Sequence, residues 1–154
     1  MWIGMAVPIV YPAPLSYMRW TIGDKAVTFP ILGETVVIPY GEVAAVFASE
    51  DRERGTGTAY ILVRSYTSLG ICLWRLYYIA VTGGNTTSPH FSSDGGYYIN
   101  SIEGLDGTAV GGRLLHTRTG TSIVLTLQVR GTSTTVQRTI DVMRVLNGTD
   151  GGPE

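Results

Sequence analysis

Residues 58–81 read TAYILVRSYTSLGICLWRLYYIAV, two apolar runs joined by a short polar link at residues 65–68. Each run is rich in β-branched and aromatic residues, too short for a typical helix once divided, and followed by Gly or a Thr/Ser cluster, so the stretch predicts a central strand pair. Ala59, Ile61 and Val63 lie on one face of the first run, yet Tyr60 and Leu62 on the other face are apolar too. The second run opposes Cys72, Trp74, Leu76 and Tyr78 to Ile71, Leu73, Tyr77 and Ile79 in the same way. A strand apolar on both faces has to be covered on both. One small β-domain offers one internal core, so the second covering is expected from another copy of the chain or a neighbouring protein. Tyr60, Leu62, Trp74, Leu76 and Tyr78 are the residues assigned to that contact between copies.

With 154 residues the chain is one ordinary domain, long enough to bury roughly 70% of its unfolded surface. The single cysteine, Cys72, excludes an internal disulfide and a multi-cysteine zinc site. Its place between Ile71 and Leu73 reads as a buried small hydrophobe rather than a reactive thiol. Twelve acidic and eleven basic residues leave a formal charge of −1 with no basic block, which speaks against nucleic-acid binding. Three Asn, two Gln and one Cys are few for this length, and scarcity of thermolabile residues fits a hot-growing source and a thermostable protein.

Residues 1–15, MWIGMAVPIVYPAPL, carry no charge and three prolines. They lack the positive n-region and unbroken apolar run of a secretory signal, and they are too short and too proline-broken to span a membrane. Proline favours extended geometry in itself and in the residue before it, so residues 1–16 are expected as an extended arm. Trp2, Ile3, Met5, Val7, Pro8, Ile9, Tyr11 and Pro12 make that arm apolar, and such a segment lies on something. Two readings are open: an edge strand on its own domain, or a reach onto a partner.

Residues 17–146 then read as strands and turns. YMRWTI, AVTFPI, ETVVIPY and EVAAVFA follow one another, with Pro30 and Pro39 demoting their strands to edges or bends. DRERGTG at 51–57 is a solvated turn. Residues 82–107 are mostly loop, with a short strand around Tyr97 to Ile102. Gly111-Gly112 marks a bulge in AVGGRLLHT. Residues 121–130 alternate most cleanly, with Ile123, Leu125, Leu127 and Val129 inward and Thr126, Gln128 and Arg130 outward. TVQRTIDVMRVL returns with a change of phase near Met143. Residues 147–154, NGTDGGPE, are expected to be a disordered polar tail. No segment carries an apolar stripe at helical spacing, so the class is all-β, an antiparallel β-sandwich or jelly roll with an extended N-terminal arm.

No catalytic, metal or cofactor constellation is found. His90 and His116 would need carboxylates such as Asp94, Glu103 or Asp106, and a lone His90–Asp94 pair lacks the third ligand that zinc requires. There is no nucleophile elbow, phosphate-binding loop or H-E-x-x-H. The expectation is a protein that is not an enzyme and uses no cofactor.

The layout GTAYILVRSY, GICLWRLYYIAVTGG, a Gly/Ser loop, GTSIVLTLQVRG and TTVQRTIDVMRVL resembles the jelly-roll modules of tailed-bacteriophage structural proteins over residues 57–146. Two families share the look, capsid decoration (cement) proteins and the receptor-binding tips of tail fibres. The apolar arm preceding the module favours decoration, and size, arm and composition together resemble the decoration proteins of long-tailed Thermus phages. That resemblance implies a homotrimer, made in the host cytoplasm and seated on the outer surface of the virion shell. Its partners would be the major capsid protein and neighbouring trimers, with no nucleic acid and no membrane. An arm of about 15 residues can span up to roughly 50 Å. The alternative is a receptor-binding tip that holds a host glycan or protein on the loops at 81–96 and 103–107, with Tyr97, Tyr98, His90 and Phe91.

Overall fold

The computed structural model describes the backbone of residues 9–10, 21–22, 26–28, 35–37, 41–51, 56–82, 85–86 and 96–150, and the side chains of 41–47, 58–78 and 96–150. Twelve strands and one short helix occur among them: β1 (Ile9–Val10), β2 (Thr21–Ile22), β3 (Ala26–Thr28), β4 (Thr35–Val37), β5 (Glu42–Asp51), β6 (Thr56–Tyr66), β7 (Cys72–Thr82), β8 (Asn85–Thr86), β9 (Tyr97–Tyr98), β10 (Gly107–Thr117), β11 (Gly120–Val129), β12 (Thr135–Asp141) and α1 (Val142–Leu146). The protein is therefore mostly β. The largest sheet runs β1-β5-β6-β7-β8 with β9 also on β7; β10-β11-β12 form a second sheet and β2-β3-β4 a third. Apart from β1, which runs parallel to β5, every described pairing is antiparallel.

β6 and β7 form the central hairpin, but the turn falls later than its polar residues suggest. Ser65 and Tyr66 still pair with Leu73 and Cys72. The reversal is made by Thr67 to Gly70, where Gly70 adopts φ +81° and its N–H donates to the Thr67 carbonyl at 2.9 Å. A left-handed residue at this place favours glycine, which has no Cβ to clash.

The first sheet and the second share one core. Phe47 and Ala45 from β5, Tyr60 and Leu62 from β6, and Cys72, Trp74 and Leu76 from β7 pack with Ala109, Ile123, Leu125, Leu127 and Ile140 from β10, β11 and β12. Tyr60 and Tyr78, cross-strand partners, stack with ring centres 5.1 Å apart. The opposite row, Val43, Val46, Ala59, Ile61, Val63 and Tyr77, is also buried within the same chain. Of the residues assigned to a contact between copies, Tyr60, Leu62, Trp74 and Leu76 are instead buried in the chain's own core, and Tyr78 is half-buried against it. Both faces of the hairpin are covered by one chain.

Other expectations fall in place or shift. A bulge is present in β10 but falls just before the paired glycines, at Val110, where the register slips between Ala109 and Gly111; Gly111 and Gly112 pair regularly with Thr126 and Leu125. On β11, Ile123, Leu125 and Leu127 are buried and Gln128 is exposed, as alternation requires, while Val129 is half-buried. The phase change near Met143 is the passage from β12 into α1. Asp141 caps the helix, its Oδ1 accepting from the Arg144 N–H, and Val142 and Val145 point into the core. Five residues are too few to display a helical period. The tail does not begin at 147: Asn147 ends the helix, and Asp150 is buried with Oδ2 accepting from the Ser101 N–H at 3.0 Å. Residues 151–154 lie outside the described residues. The strand expected through Ile102 stops at Tyr98, and Asn100–Ile102 form a 3-10 turn whose buried residue is Ile102.

Where the two sheets meet, Gly112 lies against Phe47. A Cβ at 112 would stand 2.6 Å from the Val124 carbonyl oxygen and 2.8 Å from the Phe47 ring, whereas one at Gly111 would meet nothing within 4 Å. Gly112→Ala is expected to destabilise the fold by about 1–3 kcal/mol or more, the usual range for overpacking against rigid neighbours. Gly111→Ala should leave thermal unfolding near that of the parent. Equal melting shifts for the two would show that the sheets do not meet at Gly112.

Candidate interaction surface

Three of the exposed large apolar side chains cluster at the β6–β7 turn: Tyr66, Leu69 and Ile71, with Leu69 86% exposed. The turn that carries them is tied internally. The Thr67 hydroxyl oxygen accepts from the Leu69 and Ile71 N–H groups at 3.2 and 3.1 Å, and the Thr67 N–H donates to the Ile71 carbonyl at 2.9 Å. Leu69 is thus displayed on a backbone already fixed in one form. A group held in place before binding loses less entropy on contact.

Beside the turn stands a polar cluster. The Tyr66 hydroxyl donates to Asp106 Oδ1 at 2.8 Å and accepts from Arg130, whose Nε also pairs with Asp106 Oδ2 at 3.1 Å. The Arg130 guanidinium lies 5.2 Å from the Tyr66 ring centre. Partial burial, then the bond to Asp106, pushes the Tyr66 hydroxyl above its ordinary value, so it remains a donor at neutral pH. Deeper in, Arg64 joins β6 to its neighbour β5 and to the second sheet, donating to Glu42 on β5 and to the Gly107 carbonyl at the start of β10. The Trp74 indole N–H donates to the Leu105 carbonyl at 2.9 Å, and the Gly104 N–H donates to the Cys72 carbonyl at 2.8 Å. These bonds fix the 103–107 loop next to the hairpin end.

The arrangement has the anatomy of a small contact site: an apolar centre, a Tyr and an Arg, and a polar rim of Thr67, Ser68 and Asp106. Sequence pattern alone does not single it out, because Leu69 and Ile71 sit beside a polar link and read as turn or strand. The signal available is an apolar residue next to Gly in a turn, where solvent exposure is the ordinary outcome.

The other assigned residues are placed as follows. Ile9, assigned to the partner-binding arm, instead pairs with Val46 of β5 as part of β1, so there the arm is an edge strand of its own sheet. Trp2, Ile3, Met5, Val7, Pro8, Tyr11 and Pro12 lie outside the described residues, as do His90, Phe91 and Asp94. Tyr97 packs against the core, and Tyr98 is exposed, with Arg75 4.7 Å over its ring and bonded to its hydroxyl at 2.6 Å. His116 is exposed on β10, its Nδ1 3.1 Å from the Thr121 hydroxyl. Among the described residues no three of His, Cys, Asp and Glu converge as metal ligands, and no helix is long and apolar enough to cross a membrane.

Cys72 sits beneath this surface, 1% exposed. Burial, with the Asp106 carboxylate second, pushes its thiol up from 9.0 to about 11. The folded protein should resist an aromatic disulfide reagent at pH 8 and expose one thiol per chain in denaturant; labelling of the native form at the unfolded rate would contradict its burial. Below pH 9 the thiol is protonated in both states and adds no pH dependence. Between about 9 and about 11 the unfolded chain releases a proton that the folded chain keeps, so stability falls as pH rises through that window. Cys72→Ala should flatten this part of a melting-temperature profile.

Set against protein-family models, curated proteins and solved structures, the chain matches none.

Proposed function

We propose that the chain is a structural protein of a tailed-phage virion: a β-sandwich that decorates the outer surface of the shell as a homotrimer and stabilises it by many weak contacts to the major capsid protein and neighbouring trimers. The observation that carries the reading is the rigid apolar turn, Leu69 and Ile71 beside Tyr66, on a body whose hairpin is covered without a partner. Such a body does not need association in order to fold, and it carries a preformed anchor with which to associate. The exposed parts of three side chains offer on the order of 200 Å², far below the roughly 800 Å² per partner of a free-standing interface. A contact this small holds only when repeated, and three copies on one trimer supply the repetition.

The trimer enters through the resemblance to decoration proteins and no longer through an uncovered strand face. Within each sheet the described strands mostly follow chain order, so the sandwich in this proposal is built from meanders rather than from the Greek-key crossings of a jelly roll. The arm keeps a part in the proposal apart from Ile9 and Val10, which are engaged with β5. A receptor-binding tip is the second reading, and Tyr98 favours it, an exposed aromatic held in place by Arg75.

Native mass measurement should give a trimer, and the trimer should sediment with shells of a tailed phage that have been stripped of their decoration. Leu69→Ser should weaken that retention at least tenfold, since burying one leucine contributes about 1.5–3 kcal/mol. Melting should stay unchanged, because the side chain makes little contact in the free protein. Failure of the parent protein to sediment with shells, together with binding of a host-surface polysaccharide that is lost on Tyr98→Ala, would replace decoration by receptor recognition.

A further inference from the structure

β12 is bonded on one side only. Its partner is β11, and among the described residues no strand lies on its other side. The register sets Val136 opposite Leu127, Arg138 opposite Leu125 and Ile140 opposite Ile123, so these three share the row that faces the core. All three β11 partners are fully buried; Ile140 is buried too, and Val136 packs against the core. Alternation calls for an aliphatic residue between Val136 and Ile140. The residue present is Arg138, exposed, and its guanidinium makes one polar contact among the described residues, Nη1 donating to the Gln137 carbonyl at 3.0 Å. The two ion pairs among the described residues use other arginines, Arg64 with Glu42 and Arg130 with Asp106.

We infer that Arg138 keeps the open edge of β12 from adding to the β12 of a second copy. An unpaired edge offers its backbone groups as a template, and a charge in the core-facing row is one of the ways such an edge is made unfit for pairing. Two β12 strands can meet antiparallel, core row to core row, in few registers. Centred on residue 138, the pairing sets Thr135 against Asp141, Val136 against Ile140 and Arg138 against its own copy, two like charges directly opposite one another. Centred on 137 or 139, it sets Arg138 against Val136 or Ile140 and puts a guanidinium inside the apolar row. Centring between residues would match the core row of one copy to the solvent row of the other and turn one sheet over. Each of the three registers that continue the core over most of the strand collides with Arg138. Of the other exposed residues of the strand, Thr135, Gln137 and Thr139 are uncharged and would accept a neighbour, and Asp141 stands at its end, where it caps α1. Arg138 has this role whether or not the chain decorates a shell.

The test compares the assembly state of the full chain with that of Arg138→Val and Arg138→Thr by sedimentation velocity over a concentration series, at low and high salt. Both uncharged variants should associate beyond the parent assembly at concentrations at least tenfold lower than the parent does. Arg138→Lys and Arg138→Glu, which each keep a like charge at the centre, should behave as the parent. Hydrogen exchange on the associated variants should show new backbone protection confined to residues 135–141. Parent-like assembly of both uncharged variants would overturn the inference, and so would association that leaves exchange at 135–141 unchanged.

Discussion

β6 is the constraint from which the rest follows. It is the middle strand of its sheet, bonded to β5 and β7, and both of its faces are apolar over Ala59 to Val63. A single sheet cannot satisfy such a strand, because water on either face would meet a row of aliphatic side chains. One face is met by β10, β11 and β12, whose Ile123, Leu125, Leu127 and Ile140 close over Leu62 and Leu76. The other is buried inside the same chain. Much of the remaining structure fits around these two burials: Gly112, two residues past the bulge at Val110, lets β10 come close to Phe47, and α1 adds Val142 and Val145 to the shared core.

Local chemistry was legible wherever a residue's effect is confined to its own strand. The β-branched runs announced β6 and β7, the alternation on β11 separated buried from exposed, and paired glycines announced the irregularity in β10. What was not legible depended on residues far away in sequence. Whether Tyr60 and Trp74 face a partner or a core is decided by a sheet that begins only at Gly107, and nothing in the hairpin itself encodes that choice. The position of the turn was hidden for a related reason: Ser65 has little intrinsic preference for a strand, and its pairing with Leu73 is imposed by the hairpin around it. Asp150 was invisible as an ordered residue because its partner, the Ser101 N–H, belongs to a turn that no periodic pattern marks.

The contact surface shows the same asymmetry. Its apolar members could be seen in the sequence, but their exposure could not, since Leu69 next to Gly70 differs from Leu73 within β7 only in how the backbone reverses. Its polar members come from three places, Tyr66 at the end of β6, Asp106 before β10 and Arg130 after β11. The fold brings them together by placing the β6–β7 turn and the β11–β12 turn at the same end of the molecule.

Arg64, reaching from the central hairpin to the Gly107 carbonyl, is one of the polar links between two sheets whose side chains also share one core. β5, β6 and β7 form one meander, β10, β11 and β12 another, and most pairings within each join neighbours in sequence. Closing short loops costs little chain entropy, so the pairings within each meander are the least costly to form. The Arg64 bond, the Trp74 bond to Leu105 and the seat of Gly112 on Phe47 form only when the two halves dock. The two sheets can meet this closely only where no side chain intervenes, since the gap at Gly112 is too narrow to admit one extra methyl group.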